Sequence, residues 1–179
     1  DDYWDSTRIR GSFSAAYDVA AADIDNDGDM DVVGAAYTGD LVSWFENDGS
    51  PSGANWDKHD IGTPNGPVAL VTIDFDYDGD IDVLCVGHLA DKIKLYTNDG
   101  TPDAGWSGTN IATSVDQPED IFVIDLDFDG YLDVVAAIYK DDEINWYDTA
   151  AIPEFSNIMM PIASVLAIVG FNYRKRQTL

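Results

Sequence analysis

Short apolar runs broken by polar turns recur along this chain with a period of 51 residues. The runs Val32–Tyr37, Val83–Leu89 and Val134–Tyr139 occupy one slot of the repeat, and Leu41–Phe45, Ile93–Tyr96 and Ile144–Tyr147 the next. Between the two slots lies a polar turn holding Asp40, Asp91 or Asp142. A Trp–Ile pair closes each unit, at Trp56/Ile61 and Trp106/Ile111, and Trp4/Ile9 repeat it ahead of the first full copy. The runs are rich in β-branched and aromatic residues. The turn sequence Asn-Asp-Gly stands at Asn47–Gly49 and Asn98–Gly100. Both features predict antiparallel strands joined by tight turns. The expected fold is all-β with four strands, a to d, per repeat. Strand a ends at Ala22, Ile73 or Ile124, strand b follows the next turn, strand c carries Trp44, Leu95 or Trp146, and strand d carries the Trp–Ile pair. Four strands in a repeat of this length predict one β-propeller blade per repeat.

The turn between strands a and b carries the chemistry. It reads DIDNDGDMD over Asp23–Asp31, DFDYDGDID over Asp74–Asp82 and DLDFDGYLD over Asp125–Asp133. Each copy has Asp at positions 1, 3, 5 and 9 and Gly at 6: Asp23, Asp25, Asp27 and Asp31; Asp74, Asp76, Asp78 and Asp82; Asp125, Asp127, Asp129 and Asp133. Four carboxylates within nine residues repel one another unless a cation lies among them. An all-oxygen donor set suits Ca²⁺, with the glycine permitting the sharp turn and the position-7 carbonyl able to coordinate. We expect three Ca²⁺ ions, one per loop. EF-hands are a poor match, because flanking helical periodicity is missing and position 12 is Gly34, Cys85 or Ala136 instead of Glu.

The pattern D-x-D-x-D-G-D-x-D, an apolar strand, then W-F/Y-x-N-D-G resembles the VCBS/FG-GAP repeats of integrin-α-like β-propellers over roughly residues 1–148. The resemblance implies Ca²⁺ held at blade edges by the loop Asp residues, with Asp29, Asp80 and Tyr131 contributing carbonyls. No literal Phe-Gly…Gly-Ala-Pro string occurs, which places the kinship on the VCBS side. The expected domain spans 1–150: a partial blade over 1–18, then repeats over 19–69, 70–120 and 121–150. Propellers usually have four to eight blades. An opening inside strand d is therefore expected to reflect further blades upstream, and an export signal is expected there too.

Charge refines the picture. Lys+Arg number 9 against 34 Asp+Glu, for a net charge of −25. Fourteen of the acids lie in the three loops. Such a surface disfavours nucleic acid as a partner and suits a calcium-rich or saline exterior. Cys85 stands alone, between Leu84 and Val86, where a small buried hydrophobe is expected. No Gly-x-Ser-x-Gly, Cys/His pair or zinc-ligand spacing supports catalysis. His59 falls in a surface-like strand d, and His88 shares its repeat position with Tyr37 and Tyr139. Trp44, Phe45, Tyr96 and Trp146 are expected in the core between blades.

The C-terminus differs in character. After a linker and Ile-Pro-Glu-Phe motif over 151–157, the segment 158–179 holds the apolar stretch Ile158–Phe171 and the basic run Arg174–Arg176. Phe155–Tyr173 is long enough for a helix to span a bilayer at about 1.5 Å per residue, and the cations fit a cytoplasmic stop. Pro153, Glu154 and Phe155 with the helix and basic tail resemble the PEF-CTERM sorting signal of archaeal surface proteins. That resemblance implies an archaeosortase-like processing enzyme and a lipid anchor in place of the helix. Two functional classes follow. One is a non-catalytic, calcium-binding module anchored at the cell surface, binding a protein or glycan through loops such as Thr38–Asp40, Ala90–Lys92 and Lys140–Asp142. The other is the propeller portion of a secreted or surface polysaccharide-degrading enzyme (a lyase or glycoside hydrolase).

Overall fold

Each acidic loop closes a hairpin of an antiparallel sheet, in a computed structural model that describes residues 5–50, 56–103 and 105–149. Strands β1 (Ala16–Ala22), β2 (Asp31–Ala36), β3 (Leu41–Glu46) and β4 (Asp57–Gly62) form the first sheet in chain order. The second sheet repeats this with β5 (Pro67–Ile73), β6 (Asp82–Gly87), β7 (Lys92–Thr97) and β8 (Ser107–Thr113). The third has three strands, β9 (Pro118–Ile124), β10 (Asp133–Ile138) and β11 (Glu143–Tyr147). All neighbours are antiparallel, and the only helical element among the described residues is a 3₁₀ turn at His88–Ala90. Strand a ends at Ala22, Ile73 and Ile124, as the pattern predicts. Register obeys the repeat as well: Val33 pairs with Trp44, Leu84 with Leu95, and Val135 with Trp146. The described residues form three sheets and not a closed ring.

Sheets stack face to face through strands a, β1 against β5 and β5 against β9. Between the first two lie Val33, Val42, Trp44 and Ile61 from one side and Leu70, Val83, Cys85 and Tyr96 from the other. Between the second and third lie Leu84, Val86, Ile93 and Leu95 against Ile121, Val134 and Ala136. Fully burying one such aliphatic side chain contributes about 1.5–3 kcal/mol, so these two layers are the main source of stability. Polar bonds fix the stacking. Asp40 Oδ1 accepts the main-chain N–H of Gly66 at 2.8 Å, and Asp91 Oδ1 that of Gln117 at 3.2 Å. Asp18 Oδ2 accepts from Leu70 N–H at 2.8 Å, and Asn98 Nδ2 donates to the Ile24 carbonyl at 3.1 Å.

Burial agrees with most of the expected core. Trp44, Phe45 and Tyr96 are buried, and so is Cys85, whose thiol is pushed up by loss of water. Trp146 departs from the expectation: it is 48 % exposed where Trp44 is 1 % exposed, because no described sheet covers that face of the third sheet. His59 is less of a surface residue than its strand suggests. Its ring stacks on Trp44 at 4.3 Å and lies 3.0 Å from Glu46 and 2.7 Å from Asp103, linking the first sheet to a loop of the second. His88 lies 3.3 Å from Glu119 and beside the Tyr37 ring.

The chain divides into two units, Asp1–Asp148 and Thr149–Leu179. The expected membrane segment and the Pro153, Glu154 and Phe155 motif lie outside the described residues. Among the described residues no helix is long and apolar enough to cross a membrane.

Candidate metal centres

The three loops curl by the same bonds. Gly28 N–H donates to Asp23 Oδ2 at 3.0 Å, Gly79 to Asp74 Oδ2 at 3.1 Å, and Gly130 to Asp125 Oδ2 at 3.1 Å. Inside that turn, position 3 accepts from the N–H of position 5: Asp25 from Asp27, Asp76 from Asp78, and Asp127 from Asp129. Position 5 accepts from position 7 in turn: Asp27 from Asp29, Asp78 from Asp80, and Asp129 from Tyr131. Such side-chain-to-backbone bonds are the usual way Asp stabilises a turn. Gly28, Gly79 and Gly130 adopt φ of 98, 100 and 97°, with nothing near an added Cβ. It is the backbone angle, not crowding, that requires glycine there.

This winding points carboxylates inward. In the first loop, oxygens of Asp23, Asp25 and Asp27 lie within 4.8 Å of one another, and in the second those of Asp74, Asp76 and Asp78. Oδ1 of Asp23 and Oδ1 of Asp74 are buried with no hydrogen-bond partner. A buried, unpartnered carboxylate oxygen is costly, by about 1–3 kcal/mol or more for a charged group. A cation among the three carboxylates would remove that cost. The donor set contains oxygen only, which fits a hard divalent ion such as Ca²⁺. Electrostatics agree: burial first, and the neighbouring carboxylates after it, push Asp25 and Asp76 above the usual carboxylate range.

Position 9 does different work. Asp31 is 1 % exposed, its Oδ2 accepting from Ile24 N–H at 3.0 Å and its Oδ1 from Asn47 N–H at 2.8 Å. Asp82 repeats this with Phe75 and Asn98, both at 2.9 Å. These carboxylates tie the loop to the turn after strand c, and neither belongs to the close group of three. Burial pushes Asp31 up and Asp82 up to about 6, against the lowering effect of the two N–H donors. At position 7, the carboxylates of Asp29 and Asp80 lie against the Asn-Asp-Gly turns, near Gly49 and Gly100. Asp80 also accepts from Asn26 Nδ2 at 2.8 Å, joining loop to loop.

The third loop is arranged otherwise. There Asp125, Asp127 and Asp133 group together, and Asp127 and Asp129 form a second, exposed group with Asp148. Asp148 follows β11 at the repeat position of Glu46 and Thr97, so the sequence register gives no hint of it. Position 4 was equally silent. Asn26, Tyr77 and Phe128 have φ of 61, 63 and 63°, a left-handed conformation in which Tyr and Phe are strained by roughly 1–2 kcal/mol.

No curated protein matches the chain. A family model described as FG-GAP-like repeat matches residues 23–85 and 74–136. Each match begins at the first Asp of a loop and runs through the following loop into strand b, and the two matches are offset by the 51 residues of the repeat. The chain belongs to the FG-GAP-like repeat family.

Proposed function

We propose that the protein is a calcium-binding recognition module of the cell surface that acts by binding and not by catalysis. The observation that carries the reading is the pair of buried, unpartnered carboxylate oxygens on Asp23 and Asp74, each within a group of three carboxylates. Three Ca²⁺ ions are expected, with position-7 carbonyls of Asp29, Asp80 and Tyr131 completing the shells. Their role is to rigidify the a–b hairpins.

The b–c turns lie at the other end of strand b and carry Thr38–Asp40, Ala90–Lys92 and Lys140–Asp142. A depression of about 400 Å³ there is lined by Ala90, Asp91, Lys92, Thr113, Ser114 and Asp116. This mixed polar surface suits a protein or glycan ligand. The net charge of −25 speaks against nucleic acid. Ile158–Phe171 and Arg174–Arg176 are assigned to membrane attachment. Pro153, Glu154 and Phe155 are assigned to processing by an archaeosortase-like enzyme that replaces the helix with lipid.

Glycan and surface-protein arrays probed with the protein, in calcium and in chelator, test the recognition role. Calcium-dependent binding that Lys92→Glu weakens supports it. Binding indifferent to both calcium and Lys92 overturns it.

A further inference from the structure

We propose that Asn26 and Asn98 join the first two acidic loops into one coupled cation-binding unit, in which filling either loop tightens the other; the coupling presupposes the calcium sites proposed above. Two side-chain amides cross from one loop to the next. At the surface, Asn26 Nδ2 donates to Asp80 Oδ1 at 2.8 Å. Beneath it, the buried Asn98 amide serves both loops at once. Its Nδ2 donates to the Ile24 carbonyl at 3.1 Å and to the Ile81 carbonyl at 3.4 Å.

Each bridge ends beside a group assigned to a cation. Asn26 stands between Asp25 and Asp27 with φ of 61°, at the tip of the turn in which Asp25 accepts from Asp27 N–H at 3.2 Å. Ile24 lies between Asp23 and Asp25. Across the gap, Asp80 carries the position-7 carbonyl, and its N–H donates to Asp78 at 2.9 Å. The second carboxylate oxygen of Asp80 lies 2.9 Å from where a Cβ would stand on Gly100, so any side chain at residue 100 would push it aside. Ile81 follows Asp80 directly.

Each of the two loops also holds a buried carboxylate oxygen without a partner, Asp23 Oδ1 and Asp74 Oδ1, so both stand to tighten when a cation arrives. A cation that orders the first loop fixes Ile24 and Asn26, and with them one end of each bridge. The second loop then has less freedom left to lose on binding, which gives positive cooperativity without a change of fold. By reciprocity the second loop favours the first equally. The field of the first cation works against this, but salt screens it beyond about 8 Å at physiological ionic strength. Five Asp in each loop still outnumber the charges of one divalent cation. The third loop lacks the surface bridge. Position 4 is Tyr77 in the second loop and position 7 is Tyr131 in the third, so the amide-to-carboxylate pair does not recur there.

Calcium titration of the isotope-labelled full chain, in detergent and about 0.15 M salt, reads each loop separately through the NMR amide signals of Gly28, Gly79 and Gly130. Gly28 and Gly79 are expected to follow one curve steeper than single-site binding, and Gly130 a shallower curve of its own. Asn26→Gly removes the surface amide while keeping the left-handed backbone, and the dispersion of the amide signals checks that it folds. It should move the Gly79 midpoint to roughly five-fold higher calcium, the low end of coupling between sites. Exchanging the partners, Asn26→Asp with Asp80→Asn, again sets an amide against a carboxylate and should return the midpoint. Independent curves for Gly28 and Gly79, a Gly79 midpoint unmoved by Asn26→Gly, or a shift that the exchange does not reverse overturns the coupling and leaves the calcium sites standing. Amides indifferent to calcium altogether overturn the calcium reading, and the coupling with it.

Discussion

The carboxylate of Asp82 accepts the main-chain N–H of Asn98 at 2.9 Å, fastening the acidic loop of the second repeat to the turn that follows strand c. Its other oxygen takes the N–H of Phe75 at 2.9 Å, so one buried side chain holds three pieces of backbone together. Asp31 does the same in the first repeat. In the first two loops the labour is thus divided: position 9 clamps the fold, while positions 1, 3 and 5 gather three carboxylates that could hold a cation.

That division is testable by substitution. Asp82→Ala removes two charge-assisted bonds and leaves buried donors unpaired, so it should cost about 2–4 kcal/mol with calcium or with chelator. Asp78→Ala should cost stability mainly in calcium, where it removes a ligand. Asp57, exposed on β4, is the appropriate control; Asp103 is not, because it contacts His59. Denaturant melts of the three variants in both buffers check this. Equal calcium dependence of Asp82→Ala and Asp78→Ala would remove the distinction.

A pH dependence follows from burial. In metal-free protein the Asp82 carboxyl is raised to about 6, against about 4 when unfolded. The folded state then binds the proton more tightly than the unfolded state. Its contribution is fully present below about pH 4 and is lost as pH rises through about 6. Chelated protein should therefore lose stability over that window. Calcium should reverse the trend, because its ligands must be deprotonated. Melting temperatures across the window, with and without chelator, decide the sign.

The strand ends at Ala22, Ile73 and Ile124, the loops and the burial of Trp44, Tyr96 and Cys85 were legible because each depends on local pattern repeated in register. What stayed hidden depends on neighbours in space. Asp40 and Asp91 read as turn residues, and only the stacked sheet reveals that they receive Gly66 and Gln117. Trp146 obeys the same register as Trp44 yet is exposed, because burial is decided by what lies opposite. The clamp at position 9 was hidden for the same reason: Asp31 and Asp27 are the same residue type in one motif, separated only by the fold around them.

Membrane attachment is decided by intact mass. On the proposed processing, protein isolated from its native source is expected to lack Ile158–Leu179 and to carry a lipid instead, after cleavage near Pro153–Phe155. A mass retaining Ile158–Leu179 would leave a simple helical anchor. Release by salt or chelator without detergent would reject anchoring altogether.

The repeated Asp loops are proposed to hold calcium. Calorimetric titration of metal-stripped protein with CaCl₂, paired with thermal melts of the same sample, tests it most directly. About three ions per chain are expected, with dissociation constants on the order of 10⁻⁴–10⁻³ M, the range of extracellular modules. At 100-fold excess over that constant, each site should add about 2.7 kcal/mol to stability, and the melting temperature should rise with calcium concentration. No binding heat, together with identical melts in calcium and in chelator, would mean that the loops hold no calcium.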